Sequence, residues 1–530
     1  MSSHPPAGVC SARDRRHLAD ADAVALGARI HPSRAALIHA DGGALTYGEL
    51  DILANRVAQS WQGLGIRAGE RVAIWMDNRL EYIAVYIACL RAGAIVVQLN
   101  HRHTAHEARY QLESSGAEVL VFDDTVAARV AELDIPLRHA ISLGSERPVP
   151  ATLAFADLVA AASPTAVALT PEAGAVAVLG YTSGTTGYPK AAELTHASIR
   201  ILGDTNMLVC RYALGSIQVF GFSLSFTAGI PAHILPHLRV GGTTVLLRGW
   251  DTERIVDEVA RHRATFTLLP SPPIPDFCEL VEADPRRVAS LVSVLHSTAR
   301  APEAHLERLV DAIGTRLVEG WGMTENSGGL MTATTAQDYS SGRARVFSTA
   351  GRAVAGTEVR VVDEDGAPLA EDGASVGLLE VRALSLARGY WRDPEATAAA
   401  FRDGWFATGD LGSIDEEGFV YLVDRRSDLI VSGGMNIYPS EVERVLAESP
   451  DVAVCAVVGA PHERWGRTPV AFIIPTDPST ARADAVLAFA RERLASYKLP
   501  TDVRFVSELP TNAGGKILRR SLAAQFESVP

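Results

Sequence analysis

The sequence predicts an α/β protein: a large N-terminal domain of parallel-sheet layers, a β-rich subdomain, and a small α+β domain at the C-terminus. Three observations point there. Strand-like and helix-like runs alternate from about residue 44 to residue 325, the grammar of parallel sheets covered by helices. From about Gly351 that alternation gives way to short alternating runs broken by Asp-Gly and Glu-Gly turn signals, which read as hairpins. After the polar segment Asp424–Asp428 a second, shorter mixture of helix and strand begins. A chain of 530 residues is also too long for one hydrophobic core. The expected division is a mobile tail over 1–25, a large domain over 26–424, a hinge over 425–428 and a small domain over 429–530.

Each element has its own justification. ALTYGELDILANRVAQSWQGLG (44–65) reads as a short strand, a turn and an amphipathic helix, because Leu50, Leu53, Val57 and Trp61 recur at helical spacing. RVAIWM (71–76) is a strand, EYIAVYIACLRAG (81–93) a helix and AIVVQL (94–99) a strand. EVLVFDD (118–124), HAISLG (139–144) and AVAVLGY (175–181) continue the pattern up to a polar loop. Beyond it, IQVFGFSLSFTAGI (217–230), TTVLLRGW (243–250), TFTLLP (265–270) and LVSVLHSTA (291–299) carry strand character. DTERIVDEVARHR (251–263) and EAHLERLVDAIG (303–314) are helices, and TRLVEGWGMTE (315–325) closes the series. A largely parallel sheet places its sites at the C-terminal ends of its strands. In the small domain, SEVERVLAES (440–449) and ADAVLAFARERLA (483–495) read as helices, with strands over 452–460, 468–475 and 503–510.

Composition excludes several classes. A hydrophobic share of 47% with 21% charged residues describes an ordinary globular chain. The formal net charge of −13 argues against a nucleic-acid footprint, which needs a basic face. Cys10, Cys89, Cys210, Cys278 and Cys455 show no metal or disulfide spacing and suit a reducing compartment. No apolar h-region marks the N-terminus and no run is long enough for a transmembrane segment, so the expected location is cytoplasmic.

The densest cluster of chemistry is YTSGTTGYPKAAELTH, from Tyr181 to His196. Gly184 and Gly187 let the backbone approach an anion, Thr182, Ser183, Thr185 and Thr186 add hydroxyl donors, and Lys190 adds a positive charge. That is a cradle for phosphate oxygens, although such a composition also fits a polar surface loop. It is not a Walker A loop, because Tyr188 and Pro189 separate Gly187 from Lys190. Two other signals read as decoys. Gly63, Gly65 and Gly69 mimic a dinucleotide fingerprint but follow a helix, with the third glycine misplaced. His101, His103 and His106 cluster in a polar loop without nearby cysteines or a carboxylate triad, which suits a solvated turn better than a metal site.

Several separate stretches resemble, in order, the core motifs of the adenylate-forming superfamily in its acyl-CoA synthetase branch, over roughly residues 30–525. The loop Thr182–Lys190 resembles the phosphate loop that closes over ATP, except that Ala191 stands where the family usually has a second glycine. Glu319–Glu325 resembles the aromatic-Gly-x-Thr-Glu motif. The likeness puts Trp321, between Gly320 and Gly322, against adenine, Thr324 on the α-phosphate and Glu325 on Mg²⁺. Asp410, in WFATGD, resembles the acceptor for both ribose hydroxyls, a task that suits an acceptor-only carboxylate. Asp424–Asp428 resembles the hinge, with Arg425 on ribose or phosphate and Ser427 and Asp428 at the pivot; Ser427 departs from the usual Asp or Lys. Ser432, Gly433 and Gly434 resemble the loop lining the coenzyme A pantetheine tunnel, and Lys516 the C-terminal catalytic lysine.

The resemblance implies a two-step ligase. A carboxylate, already ionised at neutral pH, attacks the α-phosphate of ATP, and a thiol, coenzyme A, then displaces AMP. Between the halves the small domain rotates, withdrawing Lys516 and bringing in the 432–436 loop. Cofactors are ATP, Mg²⁺ and coenzyme A. A carrier protein as acceptor and a homodimer stay open, and no nucleic-acid partner is expected. The acyl pocket is expected from Phe222, Ser225, Phe226, Gly229, Ala299, Arg300, Met323, Ser327 and Gly328, with Leu224, Gly329, Leu330 and Met331 nearby. That lining suits a hydrophobic carboxylic acid, fatty, aryl or polycyclic, although the same side chains also fit core packing. Further departures are Arg300, Ser225-Phe226 in place of an aromatic-His pair, and Leu378 after Gly377 in place of Glu. They leave two alternatives: an enzyme that mainly thioesterifies a preformed adenylate, and a catalytically silent nucleotide-binding protein.

Overall fold

The computed structural model describes residues 20–167, 171–182, 189–297, 301–342, 345–425, 428–432, 435–462, 465–494, 496–511 and 516–526. Its first helix, Asp20–Ile30, begins inside the stretch expected as a tail and buries Val24 against the core. Helix Tyr47–Gly63 is fixed by a capping box, in which the Thr46 side chain accepts from Glu49 N–H and the Glu49 carboxylate accepts from Thr46 N–H at 2.8 Å. No helix among the described residues is long and apolar enough to cross a membrane.

Two sheets build the large domain. The first has seven strands in the order 153–154, 139–142, 119–122, 71–75, 95–99, 176–181, 191–195. All pair in parallel except the last, which folds back antiparallel on Val176–Tyr181. The second has nine strands in the order 352–353, 330–334, 317–322, 293–296, 266–269, 217–220, 243–246, 35–39, 44–46, with a parallel centre and antiparallel edges. The central strands are parallel because Val, Ile and Leu fill both of their faces. Helix Leu80–Ala92, buried on all sides from Tyr82 onward, belongs to one apolar cluster shared by the two sheets.

The expected strand over 217–230 is shorter. It ends at Phe220, and from Gly229 the chain winds a π-turn, Ile230–Ile234, with Ile234 N–H donating to Gly229 O at 3.2 Å. The β-rich subdomain is an antiparallel sheet of strands 357–362, 377–383, 405–414, 401–402 and 420–425. The smaller C-terminal domain centres on the long antiparallel pair Val452–His462 and Gly466–Pro475, packed by helices Pro439–Ala447 and Ala483–Arg491.

Candidate active site

The segment expected to bind phosphate lies between the two strands of the hairpin at the edge of the first sheet, 176–181 and 191–195. Tyr181 pairs with Ala191, and Thr182 N–H donates to Lys190 O at 2.9 Å, closing the neck. Ser183, Gly184, Thr185, Thr186 and Gly187 lie outside the described residues. Ala191 is buried in an apolar cluster with Tyr181 beside it, in ordinary strand geometry that asks nothing of a glycine. Leu378 pairs antiparallel with Val362 and Leu411, at the point where the pairing with strand 405–414 shifts register before Glu380. Burial pushes the Tyr181 phenol up to about 12 and the His196 imidazole down to about 4. His196 is therefore neutral at physiological pH; it follows the end of the hairpin remote from the loop, where Thr195 pairs with Val176.

Three distant segments meet over one bare backbone position, Gly180. A Cβ there would sit 2.8 Å from Thr324 Cγ2 and 3.0 Å from the Thr227 hydroxyl. Glycine is what allows the strand entering the phosphate loop to touch both the Glu319–Glu325 motif and the segment that follows Phe220. A second bare crossing lies alongside: Gly328, with φ +81°, packs so tightly that a Cβ would be 2.6 Å from Ala228 N. Neither Gly180 nor Thr227 carries a local signal beyond being small.

The motif residues are cross-braced. Trp321 Nε1 donates to Asp410 Oδ2 at 2.9 Å, joining two side chains 89 positions apart, both about 7% exposed. The indole packs with Met331, Leu379 and Val381, so it orients the carboxylate expected to receive ribose. Glu325, 9% exposed, accepts from the Tyr390 hydroxyl at 2.8 Å, and its own carbonyl accepts from Ala387 N–H at 2.7 Å. Residues 387–391 run along strand Ala191–Thr195 as an extra antiparallel partner, through Arg388 N to Glu193 O, Glu193 N to Gly389 O and Trp391 N to Ala191 O. This places Lys190 Nζ 5.5 Å from the centre of the Tyr390 ring. Tyr390 thus touches both the loop lysine and the motif carboxylate, and the sequence offered only a Gly-Tyr-Trp before a helix to mark it.

The acyl-pocket residues divide. Phe222, Ser225 and Phe226 are half-buried; Phe222 meets Trp250 edge-on at 5.7 Å, and Ser223 and Ser225 share a hydrogen bond of 2.7 Å. Gly229 N–H donates to Phe226 O and starts the π-turn. Ser327 is fully buried, and its hydroxyl donates to Ser385 O at 3.0 Å. Leu224, Leu330 and Met331 are core residues too, and Met323 packs with Trp321 towards the β-rich subdomain. Ala299 and Arg300 lie outside the described residues.

In the C-terminal part, strand Val420–Arg425 sets Arg425 in register with Asp410, while the Arg425 side chain, Ser427, Gly433 and Gly434 are outside the described set. Ser432 ends a strand opposite Met435 and Gly466. Lys516 is half-buried and directly precedes Ile517, which bridges Thr511. Three residues on, Arg519 forks onto Glu443 at 2.6 and 3.2 Å and reaches Asp428 at 3.4 Å. Ser440 N–H donates to Asp424 Oδ2 at 2.9 Å.

Among the described residues no group of three or more His, Cys, Asp or Glu side chains could by itself hold a metal. His101 and His103 lie in a turn, and His106 opens helix Ala105–Ser115. Glu325 would fit Mg²⁺ in a different way: one carboxylate oriented by the Tyr390 hydroxyl would suit a cation that draws most of its shell from phosphate and water.

The family described as AMP-binding enzyme matches residues 25–391, and the AMP-binding enzyme C-terminal domain matches residues 441–516. A feruloyl-CoA synthase from an Amycolatopsis species is 35% identical, over 94% of this chain and 97% of its own. A long-chain-fatty-acid–CoA ligase, FadD13, from Mycobacterium tuberculosis is 32% identical, over 91% and 93%. The o-succinylbenzoate CoA synthetase of Bacillus subtilis, solved with its acyl-adenylate intermediate, superposes with a TM-score of 0.83 at 29% identity, covering 94% of this chain and 97% of that one.

Proposed function

The chain belongs to the AMP-binding enzyme family, and from that membership we infer that it joins a carboxylic acid to coenzyme A through an acyl-adenylate made from ATP. The observation that carries the reading is the crossing at Gly180, where the phosphate-loop strand, Thr324 and the segment carrying Phe222–Gly229 come within contact of one another. Nucleotide and acid thereby share one focus.

The chemistry follows from charge. The acid attacks as its carboxylate, so no base is needed; the obstacle is anion approaching anion. Lys190, the hydroxyls and amides of the 182–187 loop and Lys516 offset that repulsion, and Thr324 orients the α-phosphate. Mg²⁺ on Glu325 would add positive charge beside the departing phosphates. A bond forms from carboxylate oxygen to the α-phosphorus, and pyrophosphate leaves. The thiol sulfur then attacks the acyl carbon, AMP departs and the thiol proton is released. Asp410, oriented by Trp321, holds ribose through both steps.

The assigned residues, the division at 424 and 429 with its pivot at Ser427 and Asp428, and the swing that exchanges Lys516 for the 432–434 loop are all part of the proposal. So are a hydrophobic substrate of fatty, aryl or polycyclic type, a cytoplasmic location, and a carrier-protein acceptor or homodimer as further options. Support for a hydrophobic acid comes from Phe222 and Phe226 on the acid side and from relatives named for ferulate and for long-chain fatty acids. The ordinary strand geometry of Ala191 favours a complete reaction over one confined to preformed adenylates.

The test is pyrophosphate and AMP release with ferulate, palmitate, 2-succinylbenzoate and cholate, with and without coenzyme A. One arm supplies synthetic acyl-adenylates. ATP-dependent release that yields a thioester is expected with at least one acid. Thioester formation from adenylates alone would replace the full ligase with the partial reaction.

A further inference from the structure

The chain leaving the second sheet at Phe220 pairs with no strand among the described residues, and around buried Leu224 its peptide groups must be satisfied in another way. They are taken by side chains from the first sheet. Asn78, 3% exposed, lies between strand Arg71–Trp75 and helix Leu80–Ala92. Its Oδ1 accepts from Leu224 N–H at 2.7 Å, and its Nδ2 donates to Phe222 O at 2.6 Å and to Leu247 O at 2.8 Å. Gln98, on the neighbouring strand, donates from Nε2 to Leu224 O at 2.5 Å.

Asn78 therefore does what a paired strand would do, for two loops at once. One loop bears Phe222, Ser225 and Phe226. The other runs from Leu247 to Trp250, whose ring meets Phe222 edge-on. The far end of the first loop is pinned independently, by Thr227 at Gly180 and Ala228 at Gly328. Between these anchors lie Ser225 and Phe226, both half-buried and both part of the proposed acyl wall.

We propose that Asn78 is a positioning residue for acid selection: it sets the Phe222–Phe226 wall and the Trp250 loop at a fixed distance from the nucleotide loop. This rests on the reading of that segment as the acyl wall. An amide is required because two carbonyls and one N–H converge on it. An aspartate keeps the acceptor for Leu224 but turns a carboxylate oxygen towards two carbonyl oxygens.

Asn78→Asp tests the idea with two readouts. Hydrogen–deuterium exchange of the 221–229 peptide should quicken by about tenfold or more, and the KM for the best acid among ferulate, palmitate, 2-succinylbenzoate and cholate should rise about tenfold, with the ATP KM within about twofold. Should that variant fail to fold, Gln98→Met removes one bond to the same segment and should move both readouts in the same direction by about threefold. Unchanged exchange overturns the clamp. Faster exchange with an unchanged acid KM overturns the acid-selecting role and traces the fault to the acyl-wall reading. Acid and ATP KM rising together reduce Asn78 to general stability, which also overturns the proposal.

Discussion

The two halves of the candidate site are held in different ways. In the large domain each proposed nucleotide residue is braced by a partner far away in sequence: Trp321 on Asp410, Glu325 on Tyr390, Lys190 over the same tyrosine, Thr324 against Gly180. In the C-terminal domain Lys516 lies three residues before Arg519, which forks onto Glu443 and reaches Asp428. On the proposed function the first half would be preorganised to receive ATP, while Lys516 would act from a domain with its own sheet and apolar core. A reaction that needs the nucleotide pocket throughout but the lysine only once has reason to be built this way.

The strongest way to break the comparison is to remove the brace of the second half. Arg519→Met leaves Glu443, buried and bonded also to Val457 N–H, without its cation. Breaking such a pair costs about 3–5 kcal/mol. Thermal unfolding and limited proteolysis should show the C-terminal domain melting first, with nucleotide binding by the large domain preserved. Concerted loss of both would show that the frames are not separate.

Next in size is the chemistry of the lysine itself. Lys516→Ala should slow ATP-dependent adenylate formation by about 10²–10³-fold, the usual effect of deleting one charge-stabilising group. Thioester formation from a supplied acyl-adenylate should stay within about threefold, because the proposed rotation withdraws the lysine before that step. Equal loss of both half-reactions contradicts a role confined to the first.

How much of this was legible differs between the halves too. Strand–helix alternation revealed the parallel layers because those strands are fully buried and read as short, mostly apolar runs. The Lys516 segment and the Glu319–Glu325 motif were legible because their spacing is local. What stayed hidden is long-range. Nothing around Tyr390 says that its backbone pairs with Ala192, or its hydroxyl with Glu325. Ser327, a small polar residue among glycines, looks like loop, yet Ser385 O satisfies it inside the core. Periodicity reports that a face is buried, and is silent about which segment covers it.

Tyr390→Phe sharpens the account of the braced half. It keeps the ring under Lys190 and deletes only the hydroxyl that holds Glu325. A hydrogen bond to a charged group is worth about 1.5–3 kcal/mol, so adenylation should fall about tenfold or somewhat more, and the Mg²⁺ concentration for half-maximal rate should rise. Thioester formation from adenylate, and stability, should change little. A fall in stability with an unchanged Mg²⁺ dependence would make Tyr390 a packing residue.

The smallest effect is expected where the sequence looks most irregular. Ala191 replaces a glycine common in the resembling family, yet its backbone lies in an antiparallel pair with Tyr181, its carbonyl accepts from Trp391 N–H, and its methyl is buried. No left-handed φ is needed there. Ala191→Gly should therefore leave the adenylation rate within about twofold and lower stability by about 0.5–1 kcal/mol, through lost burial and a freer unfolded chain. Pyrophosphate release and thermal unfolding measure the two. A large gain in adenylation from this one methyl would mean that the neck of the loop, although well paired, is set in the wrong place. The preorganisation of the large domain would then be incomplete at the point where ATP enters.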